Sequence, residues 1–390
     1  MWGSDKARRM RISVVGGGRW ARTIASVLCA LPDRTDHVTL HSPSNSAALE
    51  TWAAERAFGA RLCVEKGWPA SRTDGDRPDA VIVANRVADH FRAAAGSLNK
   101  GIPVLVEKPV SLSAGAIERL SDMARAAGTF LAASHVMLFS RYFQAYAAAA
   151  TALGEGQGLR FTWTDGAGDI VRQEVKSYDA AVTVFDDVLP HILPMIGQLK
   201  FDGSVLEAIE VQRGGALLNI TLRANGRPVS VLLARNDTGR RRRIEFHADA
   251  GAAMLEFATE PGTIEIADQR QNGDPLWDRA PRPLATMLIA FLAAVEGSAP
   301  DARLSPKLAI ATASLATTIR RAYVEHQAGW LEQRLGRPLD EPLMYALTEL
   351  SADEGRSPEA ISQTWSAIAD RAGLAVFLSR SGLRSGDQDK

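Results

Sequence analysis

Apolar residues change their spacing along this chain, and the changes divide it. "RISVVGGG", residues 11–18, is a short β-branched run ending in glycines, and "RWARTIASVLCAL" after it carries apolar residues at helical spacing. That pattern predicts strand, tight turn and helix. "DHVTLHS" predicts a second strand followed by the helix "SAALETWAAERA"; "PDAVIVAN" and "IPVLVE" predict strands separated by the helix "RVADHFRAAAGSLNKG", which Gly101 stops. "SAGAIERLSDMARAAG" predicts another helix, closed by Gly128, and "TFLAASH" another strand. Strands apolar on both faces and alternating with amphipathic helices indicate a parallel sheet wrapped by helices. The fold class is α/β, with a doubly wound Rossmann domain over residues 1–135.

After a helix near 140–153 the period shortens to two. "GLRFTWTDG", "VLEAIEVQR", "ALLNITLRA", "PVSVLLARND", "RRRIEFHAD", "AAMLEFAT" and "TIEIAD" are short strands between Gly, Asn and Asp turns. They predict a large, mostly antiparallel open sheet. "VFDDVLPHILPMIGQL" predicts a helix between the first two strands, and long helices follow at roughly 284–296 and 305–327. Residues 136–330 thus form a C-terminal α+β domain. Residues 331–390 form an additional extension, with helices at "WLEQRLGRPLDEPLMYALTEL" and "SPEAISQTWSAIADRAG" before a polar, disordered tail. No internal repeat interrupts this order.

The 390 residues have room for two or three domains, and 46% hydrophobic content suits a globular core. Forty-five Lys and Arg balance forty-five Asp and Glu, a zero net charge that argues against nucleic-acid or acidic-membrane binding. Cys29 and Cys63 are the only cysteines and lie far apart, so neither a disulfide framework nor a thiolate metal site is expected. "MWGSDKARRM" lacks the apolar core of a signal peptide, and no stretch approaches about 18 uninterrupted apolar residues. A cytoplasmic protein with no membrane partner is the expectation.

Gly16, Gly18 and Ala21 form GxGxxA between the first strand and the first helix. The first glycine permits the tight turn, the second lets a pyrophosphate approach the backbone, and the small third residue packs helix against strand. The anion sits on free amides at the helix N-terminus, which Arg19, Trp20 and Ala21 open. The same glycines would also serve a plain strand-to-helix turn, but their place at the head of a β/α series favours dinucleotide binding. An NAD site usually offers an acid after the second strand. Here His41, Ser42, Pro43, Ser44 and Asn45 supply none. Ser42, Ser44 and Asn45, with Arg19 or Arg22, suit a ribose 2′-phosphate, and NADP(H) is favoured over NAD(H). Ser44 or Ser46 would equally cap the next helix.

With the glycine motif, "VIVANRVADH" and "VLVEKPVSLS", the chain resembles the glucose-fructose oxidoreductase, inositol dehydrogenase and rhizopine-catabolism family over about 10–330. The resemblance implies that Glu107-Lys108-Pro109 lies at the nicotinamide end of a cleft. Lys108 then orients the substrate and relays a proton, Glu107 fixes the loop and Pro109 sets its direction. A charged lysine cannot end a dry strand without acceptors, so Lys108 must reach a cleft, a carboxylate or solvent; on residue type alone it would be a surface lysine. Asn85 and His90 fall where the family lines the nicotinamide ribose and starts the following helix. His90 would serve equally as a packed helix residue.

The family also carries Asp-x-Gly-x-His in its second domain. Here "DVLPH" supplies Asp187 and His191 four residues apart, on one face of a helix. The resemblance makes His191 the general acid/base, with Asp187 beside it; a histidine of pKa near about 6.5 serves either role at neutral pH. Leu189 stands where the family has glycine, and Pro194 where it often has an acid, departures that alter the pocket wall. A histidine that only caps or packs is the other reading. His135 and Tyr142 become substrate contacts or interdomain packing, and Arg240 to Arg243 a solvated sheet edge or oligomer contact.

The function implied is hydride transfer between NADP(H) and a carbonyl or hydroxyl carbon of a small molecule, a sugar, nucleotide sugar or cyclitol, by a homodimer or homotetramer. An imine reductase of natural-product assembly and a non-catalytic dinucleotide-binding regulator remain open.

Overall fold

A computed structural model of the chain describes residues 9–56, 58–69, 77–166, 170–171, 174–175, 182–212, 215–335 and 338. Two compact units emerge, each assembled from two stretches: Met1–Phe139 with Pro281–Ile310, and Ser140–Ala280 with the chain from Ala311.

The first unit begins β1 (Met10–Val15), α1 (Arg19–Cys29), β2 (Thr35–His41), α2 (Ser46–Ala54) and β3 (Leu62–Glu65). It continues β4 (Ala80–Val83), α3 (Val87–Leu98), β5 (Val104–Val106), α4 (Ala114–Ala126) and β6 (Leu131–Ala133). All six strands are parallel, in the order β3-β2-β1-β4-β5-β6. The register explains the apolar runs: Val14, Ile82, Leu105 and Ala132 lie side by side across four strands, each at most 2% exposed. Removing such side chains from water on both faces drives the sheet together. Helix α1 buries Ala21, Ile24, Ala25 and Leu28 against it. Strand order reverses between β1 and β4, the switch point at which such sheets bind dinucleotides. Strand β3 is an addition to the sequence reading; its four half-buried residues are too short a run to stand out by periodicity.

The second unit contains α5 (Arg141–Ala152), β7 (Gly156–Gly166), β8 (Ile170–Val171), β9 (Glu174–Val175) and α6 (Val184–Gln198). Then come β10 (Val205–Gln212), β11 (Leu217–Ala224), β12 (Arg227–Asp237) and β13 (Arg241–Ala248). Strands β14 (Gly251–Glu256), β15 (Thr263–Ile266) and β16 (Gln269–Asn272) complete it. Eight of these strands form one sheet, β10-β11-β12-β7-β13-β14-β15-β16, antiparallel except where β12 meets β7. Alternation along β7 buries Leu159, Phe161 and Trp163 while Arg160 is exposed. Strand β16 is all polar and lies at the sheet's edge, so hydrophobic patterning gave no sign of it. The arginine run is corrected by the topology. Strand β13 lies between β7 and β14 instead of at an edge, and Arg242 is buried while Arg241 and Arg243 are exposed.

Helix α6 starts at Thr183, whose hydroxyl accepts from the Asp186 amide at 3.2 Å and donates to the Asp186 carboxylate at 2.8 Å. This is an N-cap reinforced by an acid in the first turn. Pro190 and Pro194 sit inside the helix and each removes one backbone donor. At the helix start Arg235, 1% exposed, donates to the carbonyls of Val182 and Thr183 at 3.0 and 3.2 Å, tying this end to β12.

The last helices are α7 (Pro283–Val295) and α8 (Pro306–Leu335). Helix α7 belongs to the first unit, where Phe291 meets Phe130 edge-on at 5.8 Å. A linear division at 135 and 330 does not describe this return of the chain. Helix α8 runs unbroken to Leu335, where a break near 327 was expected. The rest of the first predicted helix of the extension, apart from residue 338, the second predicted helix and the polar tail lie outside the described residues.

Candidate active site

At the switch point each glycine has a distinct role. Gly16 has φ +150°, and a Cβ there would lie 2.6 Å from the Ala84 carbonyl oxygen and 3.0 Å from the Ala21 methyl group. The fold itself therefore demands glycine, as β1 turns past the end of β4 into α1. Gly18 is different: a Cβ would meet nothing within 4 Å, although this residue is the N-cap of α1. Internal packing does not explain that glycine, whereas close approach of a pyrophosphate to the backbone does. Ala21 is fully buried where helix and strand touch, and Arg19 and Trp20 form the first turn.

The end of β2 is partly spent on its own structure. Ser42 is buried, and its hydroxyl accepts from the Asn45 amide at 3.1 Å. Asn45 is exposed, donates from Nδ2 to the Gly17 carbonyl at 2.8 Å and is the N-cap of α2, so neither Ser44 nor Ser46 holds that position. Ser44 is exposed. Inspection of β2 alone misses Glu65, the last residue of β3. Register pairs it with His41, and its carboxylate lies 3.8 Å from the His41 ring.

Glu107 follows β5 and is 4% exposed. Register between β5 and β6 brings Ser134 beside it, and the Ser134 hydroxyl donates to the carboxylate at 2.8 Å. The Lys108 amide donates to the other oxygen at 3.3 Å. Burial pushes the Glu107 carboxyl above its usual range, and hydrogen bonds from Trp20 and Ser134 and the charge of Lys108 act against that. Glu107 thus joins the helix of the glycine turn to the ends of β5 and β6, and Lys108 emerges half-buried from this anchor. The Lys108–Pro109 peptide is cis. Ser134 escaped the sequence reading because it is just one small residue closing an apolar strand.

His90 is 2% exposed. Its Nδ1 lies 2.9 Å from the Pro109 carbonyl and its Nε2 3.2 Å from that of Asn85. Burial holds its pKa down, against the hydrogen bonds to these carbonyls. The ring links the loop after β4 to the loop after β5, and both nitrogens face backbone. The Asn85 side chain does the opposite: its amide nitrogen and oxygen are both buried, with no hydrogen-bond partner among the described residues. An unsatisfied amide at the carboxyl end of a central strand fits a nicotinamide ribose or carboxamide. With the open space at Gly18, these residues fit a nicotinamide dinucleotide. His135, 3% exposed, directly follows Ser134.

In the second unit, His191 lies on α6 and stacks on Trp163 of β7, with ring centroids 5.3 Å apart and planes inclined by 8°. Asp187, one turn earlier, has its carboxylate 3.6 Å from the Arg235 guanidinium. Arg242 reaches over Trp163, 4.2 Å from the ring centroid, and pairs with buried Asp165. Burial lowers the Arg242 pKa and Asp165 counters it. Tyr142 is fully buried, with its hydroxyl donating to Glu260 at 2.6 Å and its ring against Phe257 and Trp277. Leu189 is fully buried and Pro194 is buried too. Trp163 was legible only as one position of an alternating strand. Among the described residues, no cluster of three His, Cys, Asp or Glu side chains could hold a metal, and no helix is long and apolar enough to cross a membrane.

Residues 10–135 match the model of an oxidoreductase family with an NAD-binding Rossmann fold. No match was found among curated proteins. Similar solved structures share the fold over both units. One is a variant of KijD10, a 3-ketoreductase from Actinomadura kijaniata, in complex with TDP-benzene and NADP: 17% identity, TM-score 0.64, covering 80% of this chain and 98% of that one. Another is the UDP-N-acetylglucosamine 3-dehydrogenase GnnA from Acidithiobacillus ferrooxidans, with 19% identity, TM-score 0.63, and coverage of 81% and 98%. A third, assigned as a myo-inositol dehydrogenase, comes from Sinorhizobium meliloti 1021, with 20% identity, TM-score 0.64, and coverage of 81% and 98%. The glycine cradle and the family match fall on the same residues, and it is the domain at 10–135 that matches the oxidoreductase family with an NAD-binding Rossmann fold.

Proposed function

We propose that this chain is an NADP(H)-dependent oxidoreductase acting on a carbonyl or hydroxyl carbon of a sugar, nucleotide sugar or cyclitol-like molecule, as a cytoplasmic homodimer or homotetramer. The observation that carries the reading is the unsatisfied Asn85 amide beside the anchored Glu107–Lys108 strand end. Two of the similar structures are of enzymes with a 3-dehydrogenase or 3-ketoreductase activity, one named for a nucleotide sugar and one bound to a TDP compound, which supports that substrate class.

A bound nicotinamide supplies the hydride chemistry, and this chain's residues orient and protonate. Gly16, Gly18 and the first turn of α1, with Arg19, Trp20 and Ala21, cradle the pyrophosphate. Ser42, Ser44 and Asn45 face the adenosine end, and Asn85 and the Glu107 anchor the nicotinamide end, where His90 holds the loops. Lys108 donates to the substrate oxygen. His191 takes or returns its proton, and Asp187 balances the imidazolium charge that results. His135 and Tyr142 shape the surroundings of the substrate.

A second reading, reduction of an imine, draws on the Trp163 plane, which gives the second unit's histidine an aromatic neighbour, and on buried Leu189 and Pro194 in the same helix. Nucleotide sugars and cyclic imines tested with NADPH and NADH separate the two. Under the proposal Lys108→Ala and His191→Ala each lower kcat by about a hundred- to ten-thousand-fold, the usual worth of positioned proton transfer. Unchanged turnover of every accepted substrate removes these roles, and dinucleotide binding with no turnover at all points to a regulator.

A further inference from the structure

We infer that Trp163 is the positioning residue of His191: its indole face fixes the plane of the imidazole and favours the protonated ring, and its emission reports that protonation. Any catalytic consequence rests on the proposed function above; the stacking and its optical signal do not.

The rings come from different elements and lie nearly parallel, 8° apart in plane with centroids 5.3 Å apart. Trp163 cannot readily swing away. It is 9% exposed, Phe257 abuts it edge-on at 5.9 Å, and Arg242 lies over its ring. Arg242 is itself held by Asp165 and by the carbonyl of Thr164. A buried side chain held by Phe257 and Arg242 presents a fixed plane, and a histidine stacked on it loses rotational freedom. Offset stacking is favourable for a neutral imidazole and stronger for an imidazolium, whose charge meets the negative face of the indole.

The surrounding charges define what else acts on the ring. From α6 itself comes Asp187, paired with Arg235 of β12 at 3.6 Å. From β13 comes Arg242 on the same indole, and from β7 Asp165, which also lies 3.5 Å from Arg240. Asp186 is engaged by Arg320 of α8 at 2.6 Å. Arg242 opposes the imidazolium and Asp187 supports it. The indole contributes without charge, in ring-to-ring contact with the imidazole.

Protonated imidazole quenches indole emission more strongly than neutral imidazole does. The experiment is a fluorescence titration of the full chain between pH 5 and 9 for wild type, Trp163→Phe and His191→Gln. The expected result is a component that sharpens to one midpoint in wild type and is absent from both variants, whose remaining tryptophans supply the baseline. A component that persists in Trp163→Phe, or no pH-dependent component in folded wild type, overturns the inference. With an accepted substrate, the acid limb of the pH–rate profile should move down by about half a pH unit in Trp163→Leu and by less in Trp163→Phe. If the titrating component is present but His191→Gln leaves turnover unchanged, the stacking stands and the catalytic reading fails. If His191→Gln abolishes turnover while the emission never titrates, the reverse holds.

Discussion

The His90 ring nitrogen lies 2.9 Å from the carbonyl oxygen of Pro109, and the opposite ring nitrogen 3.2 Å from that of Asn85. A neutral imidazole donates one hydrogen bond and an imidazolium two, so this geometry favours the cation while burial disfavours it. Burial wins, and the folded pKa is lowered from 6.5. The folded state then binds fewer protons than the unfolded chain. Stability from this site is complete above pH 6.5 and declines as the pH falls through the lowered folded value. Thermal unfolding from pH 7.5 to 5 should show a steeper acid loss of Tm in wild type than in His90→Gln. His90→Leu should cost about 1–3 kcal/mol in urea by leaving buried carbonyls unsatisfied. Equal acid slopes would count against the neutral, buried histidine.

Glu107 gives the opposite sign. Its folded pKa is raised above 4.5, mainly by burial. Its contribution is fully present below 4.5 and is lost as the pH rises through the folded value. Glu107→Gln keeps an acceptor for Ser134 and removes the buried charge. At pH 8 this variant should melt above wild type in differential scanning calorimetry, yet bind dinucleotide more weakly because the Lys108 loop loses its anchor. A lower Tm for the variant would refute the argument.

The two motif glycines should separate folding from binding. Gly16→Ala forces a Cβ to 2.6 Å from the Ala84 oxygen at φ +150° and should cost at least about 2 kcal/mol. Gly18→Ala meets nothing within 4 Å, so stability should stay within about 1 kcal/mol. Its NADPH affinity should fall at least about tenfold, the 1.4 kcal/mol of a blocked backbone approach. Urea midpoints and NADPH fluorescence titrations check both halves.

Glu65 bears on cofactor choice. Its carboxylate stands by His41, at the end of β2, where residues 41–45 include no acid. Glu65→Gln should raise the NADPH-to-NADH affinity ratio by about three- to tenfold, the ~1 kcal/mol of one charge pair near solvent. Titration of wild type and variant with both cofactors decides it. An unchanged ratio would place Glu65 out of reach of the ribose.

Asp165 and Arg242 are both buried, and Asp165→Asn leaves the guanidinium without its charge partner. The expected cost is about 3–5 kcal/mol in chemical denaturation. A loss below about 1 kcal/mol would mean that water reaches this pair.

Local periodicity was enough for the alternating strands and helices, for the change to an antiparallel sheet, and for the glycine turn between β1 and α1. These depend on near neighbours: side-chain alternation, helical spacing and the backbone freedom of glycine act within a few residues. Strands β3 and β16 escaped because one is short and half-buried and the other wholly polar. The motif residues Lys108 and His191 were legible, whereas their supports were not. Ser134 reaches Glu107 only through the β5–β6 register, Glu65 reaches His41 through β2–β3, and Trp163 reaches His191 through helix-on-sheet packing.

The sequence by itself determined which elements form and which side chains carry chemistry, because both follow from residue type and local order. Only the tertiary structure decided that α7 returns to the first unit, that His90 faces two carbonyls, that Asn85 is left unsatisfied, and that an arginine in an internal strand lies buried over a tryptophan. Those are relations between positions far apart in the chain, set by strand register and core packing, which no local pattern contains.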